Sequence, residues 1–473
     1  SMASKQNKRE KGVSLRKNKK CKESLRKDRK EKKSSRTQEK KKRKDEGMRS
    51  VEGVRDILPE EYTYWLHIYR ILDKAVREFG FRRMELPLVE TSHIYKKSIG
   101  KKTSFFEKEM YVFTTKEEEE FALRPEMTSG LVRSFIENDM NTWIKPIKLF
   151  SCGSLFQATP SQRGKYREYK QAHFDVLGEP DPILDAQLIQ MANRVLSGLG
   201  LKNVRFSVNT LGSDSDRKEY TKLLMAFFKS KKTHLCPNCQ ALLKSNPLHI
   251  VRCKEFSCRD ISTQAPHSID HLSQESHDHF KYVLEYLDEL EVPYELNPFL
   301  IPALDYYNDT VFDIISLQEK DTDNEKFHLG RGGRFDFLIK KMGGEDTSAL
   351  GFELDLNRIV FEMKRQKTKI YNEPKPRVFL VQLGELAKKK SLKLFEYLEK
   401  NGILMAESFG RGSLKGQLRQ STKMGADLTI ILGQKEAMDQ TVIVKNMQTG
   451  SQETMPQDKV VEFIKHTLKK NGK

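Results

Sequence analysis

Between residues 61 and 79 the apolar positions Tyr62, Trp65, Ile68, Leu72 and Val76 recur at helical spacing, which predicts one amphipathic helix. A short strand-like run follows and ends in Glu85-Leu86-Pro87-Leu88-Val89. Residues 147–157 and 172–178 flank a polar loop in the pattern of an antiparallel hairpin. The pattern next predicts a helix over 184–198, a strand over 203–209 and an amphipathic helix over 276–291. A strand pair at 308–316 and 326–332 leads to a helix that starts at Asn357. A polar, proline-containing linker at 371–376 sets off a last module. That module reads as strand 377–382, helix 385–400, strand 403–407, helix 413–424, strands 427–432 and 441–446, and helix 457–469. Such alternation predicts a small α/β domain with a mostly buried sheet.

Ahead of residue 48 the pattern disappears. Residues 1–47 hold 21 lysines and arginines against 7 acids, a net of +14 out of +19 for the whole chain. Val13, Leu15 and Leu25 stand isolated there, so no apolar face can offset the entropy of ordering. The segment reads as a disordered basic arm. Its mobile cations suit a polyanion, because they release counterions on meeting phosphates. A solubilising tail would have the same composition. The densest run is Lys40, Lys41, Lys42, Arg43 and Lys44, which also looks like a nuclear import signal. The acids argue against a mitochondrial presequence.

The rest bounds the class. At 473 residues the chain is too long for one ordinary domain, and 37% apolar residues can still build real cores. The longest apolar runs are too short to span a bilayer, and the N-terminus has no apolar signal core, so a cytoplasmic location is expected. Six cysteines do not make a secreted disulfide framework. Four of them cluster: Cys236 and Cys239 are followed by Cys253 and Cys258. Two thiolate pairs, each closed by a tight turn, can make a tetrahedral structural Zn2+ site with no open position for catalysis. Four free thiols in a mobile insertion are the alternative.

Several segments resemble histidyl-tRNA synthetases. The run from Ala122 to Gly130 (ALRPEMTSG), followed by a helix, is similar to the LRPE-T segment of that family. Residues 148–178 resemble the class II motif 2 hairpin. The run from Leu304 to Phe312 (LDYYNDTVF) and the run from Gly332 to Asp336 (GGRFD) resemble the two histidine-recognition segments. The run from Leu350 to Arg358 resembles motif 3, the last module resembles the anticodon-binding domain, and the Cys-bearing stretch resembles an insertion domain of some bacterial members. The order is right over nearly all of 48–470. The resemblance implies an α+β fold. Its parts would be a six- to seven-stranded antiparallel class II sheet with flanking helices, an insertion domain and a C-terminal α/β anticodon-binding-like domain. It also implies a homodimer built around Pro87. The expected divisions are a basic tail at 1–47, a catalytic-like core at 48–214 and 297–370, an insertion at 215–296, and the tRNA-reading domain at 374–473.

Activation of histidine needs fixed cations at the α-phosphate of ATP, and arginine suits phosphate best. Here the positions that the resemblance assigns to such groups have changed. The motif 2 arginine is Gln157, the next family arginine falls on Pro160, a loop arginine is Lys165, and the arginine expected at the α-phosphate is Pro302. Small pocket residues have become Met127, His173 and Arg331, and Glu353 and Asp355 stand where small residues should lie under ATP. Retained pocket-like positions are Arg124, Glu126, Thr128, Arg167, Gln171, Asp305, Tyr306, Tyr307 and Arg358, with Asp175 in place of a glutamate. The last module keeps Arg411, Lys415, Arg419 and Lys423, a basic face suited to RNA, although a solvated charged face would look alike.

These readings point to a pseudo-synthetase that binds tRNA or another structured RNA as a dimer. A working histidine–tRNA ligase, which would use ATP and Mg2+, is the alternative. A regulatory subunit of histidine biosynthesis is a third reading, against which the intact last module and basic arm speak. A purely structural, protein-binding role for the dimer is the fourth.

Overall fold

The computed structural model describes residues 49–100, 109–158, 166–317, 327–371, 373–410 and 413–470. The basic arm with its Lys40, Lys41, Lys42, Arg43 and Lys44, the hairpin-loop Lys165, and Arg411 lie outside the described residues. Two compact units divide between Tyr371 and Asn372.

The first unit is built on an eight-stranded sheet. Its strands are β1 (Arg82–Arg83), β5 (Ile147–Phe156), β6 (Glu168–Leu177), β7 (Val204–Thr210), β8 (Tyr294–Leu296), β9 (Asn308–Ser316), β10 (Phe327–Arg334) and β11 (Ala349–Asp355). They lie in the order β1-β5-β6-β11-β10-β9-β7-β8. The expected six- to seven-stranded antiparallel sheet is therefore wider, and its two outermost pairs, β1 with β5 and β7 with β8, are parallel. Strands of two and three residues carry no alternation that a sequence could display. A smaller sheet pairs β2 (Val89–Thr91), β4 (Glu120–Leu123) and β3 (Tyr111–Thr114), in that order.

Alternation along the strands divides the large sheet into two faces. One carries Phe150, Phe174, Phe352, Phe312 and Phe206 and packs against helices α1 (Pro59–Glu78), α3 (Ile183–Gly198) and α8 (Leu356–Gln366). Of the stripe seen in the sequence, Trp65, Ile68, Leu72 and Val76 are buried there, whereas Tyr62 is exposed. Gly332 is required on this face, because a Cβ would stand 2.4 Å from the Phe312 ring and 2.6 Å from the Gly351 carbonyl. The opposite face carries a polar central row flanked by apolar residues such as Leu149, Leu155, Leu177 and Val311, and is partly covered by α2 (Thr128–Glu137).

Between β7 and β8 the chain inserts α4 (Asp214–Ser230), α5 (Pro237–Ser245), a 3-10 turn at Pro247–Arg252, α6 (Phe256–Ser262) and α7 (Gln274–Glu289). Asp216 closes a capping box with Ser213 at the start of α4. The same carboxylate accepts from Ser276 and Ser273, tying α4 to the start of α7. Burial would raise its pKa, but these bonds bring it down to about 2.

The second unit has a five-stranded sheet. Its strands are β12 (Val378–Gln382), β13 (Met405–Glu407), β14 (Leu428–Leu432), β15 (Thr441–Asn446) and β16 (Gln452–Pro456), in the order β13-β12-β14-β15-β16. β12 and β14 are buried at every position, as a parallel sheet covered on both faces requires. Helices α9 (Glu385–Lys400), α10 (Leu414–Met424) and α11 (Val460–Lys470) complete it. Strand β16 and the short helix Gln434–Asp439 go beyond the expected elements, and residues 457–459 form a 3-10 turn instead of the start of the last helix. Among the described residues no helix is long and apolar enough to cross a membrane.

Candidate functional site

The polar face of the large sheet carries the site. Strand register places Ser151, His173, Glu353, Arg331 and Asp313 side by side in one row across β5, β6, β11, β10 and β9. Arg331 Nε lies 3.2 Å from Glu353 Oε1. His173 Nε2 lies 2.9 Å from Gln171 Oε1 and 3.6 Å from Glu353 Oε2. His328 Nδ1 lies 3.1 Å from Asp313 Oδ2 at the far end. Bulky ionisable groups thus run across the floor of the face, and each has a neighbour in the row.

Burial sets their protonation. It lowers the His173 pKa to about 3, helped by the nearby Arg124 cation, so this imidazole is neutral. Burial raises Glu353, with Arg331 and Gln171 pulling back. Glu126 is pushed up from 4.5 to about 7 by burial, against hydrogen bonds from Ser129 and with Glu353 adding repulsion. Asp175 is driven well above the usual carboxylate range by burial and by Glu126 and Glu353. Glu126, Asp175, Glu353 and Asp313 therefore share this face with one arginine, Arg331, whose side chain stays 43% exposed.

Beside the row, Met127 is 1% exposed and its Sδ sits 3.5 Å from Ser151 Oγ. Tyr306 and Tyr307 are buried with ring centroids 4.8 Å apart. Glycines on this face sit where a ring, a side chain or a backbone carbonyl takes the room. A Cβ on Gly351 would stand 2.2 Å from Asp175 Oδ1, and one on Gly333 would stand 3.1 Å from the Tyr307 ring. Glu126, Met127, Thr128, Gln171, His173, Asp175, Tyr306, Tyr307, Arg331 and Glu353 are thus brought to one place.

Other expected pocket residues are held by partners of their own. Arg124 donates to the Ser154 carbonyl at 2.8 Å and to the Leu86 carbonyl at 2.7 Å, so it holds backbone. Arg167 packs on Gly53, and its carbonyl accepts from the Gln157 amide at 2.8 Å. Arg358 lies over the Phe327 ring, 4.4 Å from its centroid. Asp355 was expected as a bare acid under ATP; it is the N-cap of α8, accepting from the Arg358 amide at 3.0 Å. Its pKa is raised to about 6 by burial, which that bond partly offsets. Glu353 is likewise no bare acid, since Arg331 pairs with it. Asp305 faces the insertion: Asn246 Nδ2 donates to both its carboxylate oxygens at 3.0 and 2.9 Å, and His249 Nε2 lies 3.1 Å away. Pro302 sits in the loop before it and offers no donor.

Two features escaped sequence reasoning. Asp313 completes the row; its position two residues beyond Val311 on β9 was the available signal. Arg334 clasps Asp185 with bonds of 2.6 and 3.0 Å, both side chains 1% exposed, so the arginine of the glycine-rich segment is structural.

In the insertion, the Sγ atoms of Cys236, Cys239, Cys253 and Cys258 all lie within 4.8 Å of one another. All four are free thiols. A tetrahedral Zn2+ with Zn–S of about 2.3 Å needs sulfurs about 3.8 Å apart, and Cys236 and Cys253 already stand at 3.9 Å. The donor set fits the metal. In the second unit Lys415, Arg419 and Lys423 are exposed at successive turns of α10. The inward side of that helix is polar: Gln417 exchanges bonds with the Gln382 backbone at 3.1 and 2.8 Å, and Ser421 meets Thr429 at 2.6 Å.

With this geometry in hand, comparison with known proteins is direct. Residues 53–359 match the family model for histidyl-tRNA synthetase, and residues 377–467 match that for an anticodon binding domain. A histidine–tRNA ligase of Dehalococcoides mccartyi is 34% identical over 420 residues, covering 89% of this chain and 100% of the relative. One from Acetivibrio thermocellus is 32% identical over 417 residues, covering 88% and 99%. The crystal structure of apo Staphylococcus aureus histidyl-tRNA synthetase superposes with a TM-score of 0.74 at 29% identity, covering 88% of this chain and 99% of that one. The chain belongs to the histidyl-tRNA synthetase family and ends in an anticodon-binding domain of that family's kind.

Proposed function

We propose that this family member has given up histidine activation and works by binding tRNA, or another structured RNA, as a homodimer. One observation supports the reading most: His173, Glu353 and Arg331 lie side by side on the sheet floor, at positions where the resemblance expects small residues. Gln157 and Pro302 remove the cations that the α-phosphate needs, so ground state and transition state both lose their partners. The RNA side rests on the exposed Lys415, Arg419 and Lys423 and on the basic arm. Dimerisation is supported by apolar residues left exposed on the small sheet, Val89, Val112 and Phe113, next to Leu88. A particle of twice 55.0 kDa in sedimentation is the expected outcome. A structural Zn2+ at Cys236, Cys239, Cys253 and Cys258 belongs to the same reading.

The second reading, a histidine–tRNA ligase using ATP and Mg2+, is favoured by the names of the relatives that the chain matches end to end. Histidine-dependent ATP–pyrophosphate exchange separates the two. RNA crosslinking in cells separates the first from a role in histidine biosynthesis or a purely protein-binding role: recovery of tRNA or one structured RNA is expected, and no enriched RNA would overturn it.

A further inference from the structure

The two inner cysteines of the cluster, Cys239 and Cys253, bracket the segment that reaches the core. Between them α5 ends at Asn246, where φ is −156° and ψ 80°, and the 3-10 turn Pro247–Arg252 begins. Asn246 and His249 leave this segment to meet the Asp305 carboxylate, as described above. Arg217 of α4 closes on Asp305 as well and donates to the Tyr307 carbonyl at 3.0 Å. Asp305 directly precedes the Tyr306–Tyr307 pair. One acid of the core is thus held from two parts of the insertion.

Asn246 and His249 can stay on Asp305 only if both ends of the segment are fixed. Leu243, Leu248, Ile250 and Val251 bury themselves and anchor its middle. The ends are sulfurs, which without a cation are either mutually repelling thiolates or weakly bonded thiols. A metal joining Cys239 to Cys253 removes the loop's freedom at both ends. Four sulfur ligands in a closed tetrahedral set suit Zn2+ and leave no place for substrate.

We infer that a single Zn2+ held by Cys236, Cys239, Cys253 and Cys258 acts as a strut that seats Asn246 and His249 on Asp305, so that the ion governs the order of the Tyr306–Tyr307 wall. The inference rests on the zinc assignment in the proposed function and adds a consequence some distance from the metal.

The test is metal analysis of the full chain purified without chelator, followed by hydrogen exchange before and after metal removal. One Zn2+ per chain is expected. Stripping should speed exchange about tenfold or more in peptides covering 303–309 as well as 235–260, while peptides of β12 and β14 stay unchanged. If removal unfolds the whole first unit, the paired variant Asn246→Ala with His249→Ala decides. It should keep one Zn2+ and still show the faster exchange at 303–309. Zinc present with exchange at 303–309 unmoved in that variant overturns the strut and leaves the zinc assignment standing. Iron in place of zinc, or no metal at all, overturns the zinc assignment and the strut with it.

Discussion

Glu126 lies 5% exposed at the start of α2, accepting from the Ser129 amide at 3.1 and 3.2 Å. Its pKa is raised from 4.5 to about 7. A raised acid binds its proton more tightly in the folded state. The stability it brings is complete below about pH 4.5 and is lost as pH rises through about 7. Glu126→Gln keeps the acceptor and removes the ionisation. Melts at about pH 5 should therefore differ by under about 1 kcal/mol, and at about pH 8.5 the variant should be more stable by on the order of 2–3 kcal/mol. Equal shifts at both values would mean that the carboxyl is not held near neutrality. Apart from Asp313, the residues that the structure gathers here were named from the sequence, but their states were not legible in it. Asp355 reads as a pocket acid until α8 is seen to start on it, and Arg334 reads as part of a ligand segment until Asp185, far away in sequence, is seen beneath it.

At the scale of elements, the hairpin β5–β6 and strands β9, β10 and β11 set the row, and their period of two decides which residues meet. The strands themselves were readable for β5, β9 and the second part of β6, but burial does not alternate along them: β6 is buried at seven successive positions. Strands β1 and β8 were not readable, being too short to alternate, and these account for the underestimated width of the sheet. Cross-strand pairing itself was hidden, since no local pattern says that Arg331 faces Glu353 on one side and Asp313 on the other. The row has a consequence for repair. Gln157→Arg with Pro302→Arg supplies cations but leaves the floor filled, so pyrophosphate exchange should stay at background. Met127→Gly, His173→Gly, Glu353→Ala and Asp355→Gly are needed in addition. Asp355→Gly should cost α8 only a few tenths of a kcal/mol, because glycine is a tolerable N-cap. Glu353→Ala strands Arg331 beside Asp313 alone, which the incoming phosphates would then compensate. Exchange by the two-arginine variant alone would show that the floor is open.

For the whole molecule, the family and its order of parts were legible because motif-bearing runs from Ala122 to Arg358 keep their sequence, and the second unit keeps its alternation. The basic arm and the α10 stripe predict how RNA binding responds to salt. Deleting residues 2–47 should weaken binding and flatten the slope of log K against log salt, which for double-stranded sites changes by roughly 0.9 for every phosphate that is no longer neutralised. Unchanged affinity and slope would show that the arm takes no part. The most direct test of the central claim is histidine-dependent ATP–pyrophosphate exchange by the unmodified full chain with Mg2+, beside a working ligase of the family. Each missing phosphate donor costs on the order of 10²–10³ in rate, so two place the expected exchange at least about 10⁴-fold below that ligase, at background. Histidine-dependent exchange within about tenfold of the working ligase would contradict the loss of activation and make the chain a histidine–tRNA ligase.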